Sequence, residues 1–195
     1  MNSTRRDGQD GSGPNTHAGD IQMNLVARLA LVISLLGAFA TWLFLGPLAE
    51  FGLQIWAAFI VWGAFYHCGG AVSGLKSSLA GNIWGAVMCA VALALIGKVG
   101  GGAIGAAICV GITVAIFILG ANIPLFSVIP AAVYGYSSVA ALALLKPGQD
   151  IFSASVVTNP LINIVVSMAI GSVFAFVSEK LVGMLGTEAE APIRA

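Results

Sequence analysis

With 58% hydrophobic and 8% charged residues in 195, the chain is far too apolar for a water-soluble domain, in which about a quarter of residues are charged. Its formal net charge is zero, so it offers neither a basic face for nucleic acid nor an acidic interaction tail. These values predict an integral membrane protein, with membrane lipid as its neighbour and no nucleic acid as a partner.

The first residues, 1–23, are polar and rich in Gly, Asp, Asn and Ser, a composition expected of a disordered tail. The run from Leu29 to Gly37, followed by Ala38, Phe39 and Ala40, imitates a signal peptide with a small-residue cleavage site. Because the apolar run continues through Leu45, a retained anchor is expected instead. Six segments, 24–46, 52–70, 79–97, 101–120, 124–145 and 157–183, approach or exceed the roughly 20 residues that a helix needs to cross a bilayer. Turn signals separate them: Gly46-Pro47, Gly74 to Ser78, Lys98 with Gly100 to Gly102, Asn122 to Pro124, and Lys146-Pro147-Gly148. No alternating barrel pattern is present, and in hydrocarbon every backbone group needs an internal partner, so helices are predicted. The expectation is an all-α polytopic membrane protein, six transmembrane helices over 24–184, with a second tail at 185–195.

Positive residues give the orientation. With both termini cytoplasmic, the inside carries Arg5, Arg6, Arg28, Lys76, Lys180 and Arg194, the outside only Lys98 and Lys146. Trp42 and Trp56 then fall near the outer interface and Trp84 near the inner one.

The stretch from Phe59 to Asn82 recurs in altered form as Val128 to Asn159. Setting Val61 against Ile129 pairs Ala64 with Ala132, Tyr66 with Tyr134, and Gly69-Gly70 with Ser137-Ser138; Asn82 and Asn159 then open the next apolar segments. The repeating unit would be three helices long, and an odd number places the copies in opposite orientations. Such a 3+3 inverted repeat puts equivalent segments around a pseudo-twofold axis near the bilayer midplane, where transport proteins hold substrate.

From Trp56 to Asn82, the order of Trp, Ala, Phe, Trp, Gly, a Gly pair, Gly-Leu and an Asn resembles a family of small bacterial inner-membrane proteins known as a domain of unknown function; Ile129-Pro130-Ala131-Ala132 with Tyr134-Gly135-Tyr136 is similar to its second landmark. The resemblance covers roughly residues 25–183. It implies a six-helix fold in the bacterial inner membrane, and no settled substrate or functional residues. A looser likeness to urea channels, which also use inverted halves, is analogy at fold level.

No Asp, Glu, Lys or Arg lies mid-segment, which argues against proton relays and pores for strongly charged ions. Asn82, Asn159 and Asn163 offer carboxamides near helix starts, where they can cap a helix or face a polar passage. Asn159-Pro160 has the form of a cap followed by proline at the first helical position. Asn163, one turn on, suits a neutral hydrogen-bonding solute or an interhelical contact. His67 can titrate near neutral pH, as a gate at an inner vestibule or as an ordinary interfacial histidine. With Cys68 it supplies too few ligands for zinc, so no metal site is expected, nor any cofactor. Pro130, six residues into the fifth segment, removes a backbone hydrogen bond and either lines a cavity or only kinks the helix. Tyr66, Tyr134 and Tyr136 with Phe65 would form an aromatic constriction or fill the core. Glycines four apart, Gly70/Gly74, Gly81/Gly85, Gly97/Gly101 and Gly101/Gly105, predict tight helix packing and a homo-oligomer through those faces.

The function expected is channel-like or facilitative passage of a small neutral or weakly polar solute such as urea, a short amide or ammonia. The alternative is a non-transporting membrane subunit that anchors or regulates a partner protein. Catalysis is not expected, because no acid, base and nucleophile can be assembled around His67.

Overall fold

A computed structural model describes residues 24–186. The tail expected at 1–23, and all but the first two residues of that expected at 185–195, lie outside the described residues. The chain forms six α-helices: α1 (Leu25–Leu45), α2 (Ile55–His67), α3 (Ala71–Val99), α4 (Gly102–Leu119), α5 (Ile129–Leu145) and α6 (Pro160–Met184). Short 3-10 turns at Ala49–Phe51, Gly120–Asn122 and Pro124–Phe126 lead towards α2 and α5.

Four helices, α1, α3, α4 continued through its 3-10 turn, and α6, are long and apolar enough to cross a membrane. The other two are shorter: α2 has 13 residues and α5 has 17, about 20 and 25 Å against a hydrocarbon core of about 30 Å. Both begin part-way along a longer neighbour. The backbone N–H of Gln54, just before α2, donates to Ser167 Oγ at 2.9 Å, about 10 Å along α6 from Pro160. The start of α5 lies against Gly81, whose added Cβ would meet the Ala131 methyl and the Val128 carbonyl, about 15 Å along α3 from Ala71.

Directions follow from the pairs. α2 runs parallel to α6, Gln54 meeting Ser167 at one end and Trp62 and Tyr66 meeting Ser178 at the other. α5 runs parallel to α3, Ala131 lying beside Gly81, and Val139 and Leu142 packing with Ala86 and Cys89 further on. α1 lies antiparallel along α6, from Arg28 beside Gly186 to Phe39 beside Phe174. α4 turns back along α3 at Gly100–Gly102, where three successive positive φ angles make the tight reversal and glycine is the residue that adopts them without strain.

The two largest interfaces are α3 on α5 and α2 on α6. Small residues produce both. A Cβ on Gly85 would collide with the Ala132 carbonyl, and one on Gly135 with that of Asn82; in the other pair, Gly171 lies against the backbone of Ala58. Removing side chains lets backbones touch. Between these pairs lies an apolar core of Ala57, Val61, Ala86, Cys89, Val139, Leu142, Ile164 and Met168.

Two local expectations change. The turn expected at Gly74–Ser78 is helical, because α3 begins at Ala71 and runs 29 residues without a break; Gly74 and Ser78 are buried on its packed face. Lys76 is therefore a helical residue, not a loop one. Pro130 lies in the first turn of α5, not six residues into it, so its missing N–H is one that a helix start leaves unpaired anyway and no kink results.

Candidate functional site

The polar side chains expected to share a passage are distributed over the bundle. Asn159 is the N-cap of α6: its Oδ1 accepts from Leu161 and Ile162 N–H at 2.9 and 3.1 Å, and its Nδ2 donates to the Ile151 and Ser153 carbonyls at 3.0 and 2.7 Å. Every group of that amide is occupied by structure. Asn163, one turn deeper and fully buried, donates from Nδ2 to the carbonyls of Gly52 and Val156 at 3.1 and 2.9 Å. It thereby ties the α1–α2 connection to the α5–α6 connection. Its Oδ1 is buried and has no hydrogen-bond partner.

Asn82 is not near a helix start. It is the twelfth residue of α3 and is fully buried, with Nδ2 donating to the Ser78 carbonyl at 2.8 Å and Oδ1 left without a donor. Ser138 Oγ, buried on α5 one turn beyond Gly135, is likewise unpartnered. A buried acceptor without a donor costs about 1–3 kcal/mol, so these three oxygens need an explanation that Asn159 does not.

The tyrosines do not converge. Tyr66 shares a 2.8 Å hydroxyl contact with Ser178 on α6, Tyr136 a 3.0 Å one with Thr113 on α4, and Tyr134 faces outward, 37% exposed. Phe65 is buried at the T-shaped contact with Tyr66. The expected ring of aromatics around an axis is therefore not assembled. His67 is the exposed last residue of α2, at the same end as Lys76, Glu179 and Lys180; Pro130 is also exposed. Trp84 is half-buried beside the α4–α5 connection, donating to the Phe117 carbonyl at 3.2 Å and stacking on Phe126.

The glycine pairs are engaged within one chain. Gly81 and Gly85 serve the α3–α5 crossing, Gly74 approaches the Phe65 and Cys68 carbonyls, Gly70 lies beside the Glu179 carboxylate, and Gly105 packs on Gly100. Gly97 faces open space.

One feature escaped the sequence reading. A cavity of about 330 Å³ opens between the start of α2 and the end of α5, lined by Gln54, Trp56, Ala141, Leu142, Leu145 and Lys146. Gln54 Oε1 accepts from Trp56 Nε1 at 3.0 Å and its Nε2 donates to the Gly52 carbonyl, so amide and indole are fixed in the wall. Leu142 belongs to both the cavity and the apolar core, which closes the cavity on its inner side. Its residues come from segments almost ninety positions apart, and only the pairing of two helix ends brings them together.

Among the described residues, no group of three or more His, Cys, Asp or Glu side chains could hold a metal ion. No curated protein and no solved structure matches the chain. A family described as "Protein of unknown function (DUF1097)" matches residues 30–183, from the second turn of α1 almost to the end of α6, and the chain belongs to that family.

Proposed function

We propose that the chain is a six-pass protein of the bacterial inner membrane, built of two inverted three-helix halves, that gives facilitated passage to a small neutral solute able to donate hydrogen bonds. Urea, a short amide and ammonia are of this class. The end bearing Arg28, Lys76 and Lys180 is cytoplasmic by its positive excess.

The repeat is supported by the packing. Exchanging α1, α2 and α3 with α4, α5 and α6 carries the α2–α6 interface onto the α5–α3 interface, and these two are the largest in the bundle. It carries the Ala58–Gly171 contact onto Ala132–Gly85. The helix starts then set Ile55-Trp56-Ala57-Ala58 against Ile129-Pro130-Ala131-Ala132, six positions from the pairing that sets Val61 against Ile129.

The observation that carries the passage is the set of three buried oxygens, Asn82 Oδ1, Ser138 Oγ and Asn163 Oδ1, that accept no hydrogen bond. Asn82 and Ser138 lie within helices and Asn163 one turn into α6, with no acidic or basic residue mid-helix, so these acceptors suit a neutral donor and give a hydrated ion no compensation. The apolar core between α2, α3, α5 and α6 makes this a closed conformation, and an apolar constriction of that kind gates by excluding water.

The test is stopped-flow light scattering on proteoliposomes challenged with urea, acetamide, ammonium and glycerol gradients. One of the first three should equilibrate faster than in empty liposomes, and Asn82→Leu should abolish the acceleration while the protein stays folded. No acceleration for any solute, with the protein folded and inserted, would overturn the reading. It would favour the second one, a non-transporting subunit that anchors or regulates a partner protein, for which the apolar core and the fully engaged Asn159 amide already speak.

A further inference from the structure

We infer that the cavity between α2 and α5 binds an amphiphilic anion, a phosphate or carboxylate headgroup carrying an aliphatic chain. The inference rests on the chain lying in a bilayer, but not on solute passage.

The polar half of the cavity is cationic. Lys146 is half-buried and its ammonium lies against Gly52, 3.2 Å from where a Cβ would stand. Among the described residues it makes no ion pair. The acids that flank the cavity's two lining segments are exposed and turned to other work or to solvent: Glu50 sits on the 3-10 turn before Gly52, and Asp150 Oδ1 accepts from Phe152 N–H at 2.9 Å. Both would weaken anion binding through long-range repulsion, but neither occupies the lysine. Gln54 Oε1 is taken by Trp56 Nε1 and Gln54 Nε2 donates to the Gly52 carbonyl, so Lys146 is the charged donor of the lining.

The other half is apolar and leads outward. Ala141, Leu142 and Leu145 form the wall along α5, and Leu144 and Leu145, at 74% and 81% exposure, continue it onto the outer face of the helix. A cavity of this size, mostly apolar with one placed charge, is of the kind that takes a small ligand. The charge sits at the helix end and the apolar wall runs back along the helix, so the headgroup would lie at Lys146 and its chain along Leu145. A bilayer anion is drawn to such a lysine by an amount worth about fivefold in binding.

Either a membrane phospholipid or a soluble amphiphile supplies this chemistry. The full-length protein would be placed in nanodiscs of phosphatidylcholine with or without phosphatidylglycerol, released into detergent and weighed by native mass spectrometry. Expected is one retained phosphatidylglycerol per chain, with retention about fivefold lower in Lys146→Gln, restored in Lys146→Arg and unchanged in Lys98→Gln, a lysine at the same end of the bundle. Ala141→Phe, which fills the cavity and keeps the charge, should lower retention equally and guards against misfolding of the lysine variant. In detergent, octyl phosphate should raise the melting temperature where inorganic phosphate does not. If octyl phosphate stabilises while phosphatidylglycerol is not retained, the occupant is a soluble amphiphile of the same chemistry. Equal retention of both lipids without stabilisation by octyl phosphate, an equal loss in Lys98→Gln, or inorganic phosphate matching octyl phosphate would overturn the inference.

Discussion

Gly85 and Gly97 stand on one helix, and what surrounds them differs completely. A side chain at Gly85 would run into the Ala132 carbonyl, whereas one at Gly97 meets open space. Overpacking costs about 1–3 kcal/mol when side chains can shift, and a carbonyl in a helix cannot shift alone, so Gly85→Val should cost at least the top of that range. Gly97→Val should be close to neutral, since valine is no worse than glycine in a helix. The thermal midpoint of detergent-solubilised protein, read by size exclusion after heating, would separate them; equal midpoints would mean that α3 and α5 do not cross there. The amides divide similarly. Asn159→Ala removes a cap and should cost about 1–2 kcal/mol, while Asn82→Leu removes an unpaired acceptor and should leave stability unchanged or raise it. The sequence marked Asn159, before Pro160, as a cap, and the structure has it so; it also set Asn82 near a helix start, because the small polar residues before it read as a turn although α3 begins at Ala71.

At the level of the helix, the beginning of α3 shows where reading by composition failed. Gly74, Lys76, Ser77 and Ser78 have the make-up of a turn, yet Gly74, Ser78, Gly81, Asn82 and Gly85 form the buried face of one continuous helix. Small polar residues serve loops in water and close helix contacts in a membrane bundle, so composition alone does not distinguish them. The real break lies three residues upstream of Gly74. Gly69, Gly70 and Ala71 all have positive φ, at 86°, 68° and 55°, and the Glu179 carboxylate holds them by accepting from the Ala71 N–H at 2.8 and 3.0 Å. A negative group at a helix start is also favoured by the helix dipole. Ala71 is strained there, since left-handed backbone costs an L-residue about 1–2 kcal/mol. Ala71→Gly should therefore stabilise the protein by about 1 kcal/mol, and Glu179→Ala should speed amide exchange over residues 69–75 without altering that of α4. A destabilised Ala71→Gly would show that the turn is not left-handed at that residue.

Across the molecule, six apolar runs were legible because each buried or lipid-facing helix needs one, and the order of the helices follows. Their depth was not legible. Residues 52–70 and 124–145 read as full spans, but Gln54 and Val128 start their helices part-way along α6 and α3, and the flanking residues fold as short 3-10 turns and extended chain. Hydrophobicity measures how much chain avoids water; it does not say where a helix begins within the apolar layer, which here is set by contacts between distant segments such as Gln54 with Ser167. The cavity escaped for the same reason. Whether helices of about 20 and 25 Å cross the bilayer can be decided by single-cysteine labelling in spheroplasts, after Cys68, Cys89 and Cys109 are replaced by serine or alanine. Cysteines placed at Glu50 and Gln149 should react with a membrane-impermeant maleimide from outside, and those at Gly69 and Asn122 only after lysis. The alternating helix directions require this pattern if α2 and α5 pass through, the bilayer thinning or the connections dipping to meet their short ends. Labelling of Glu50 and Gly69 positions from one side would make α2 a re-entrant helix, and the two halves would no longer be inverted copies of each other.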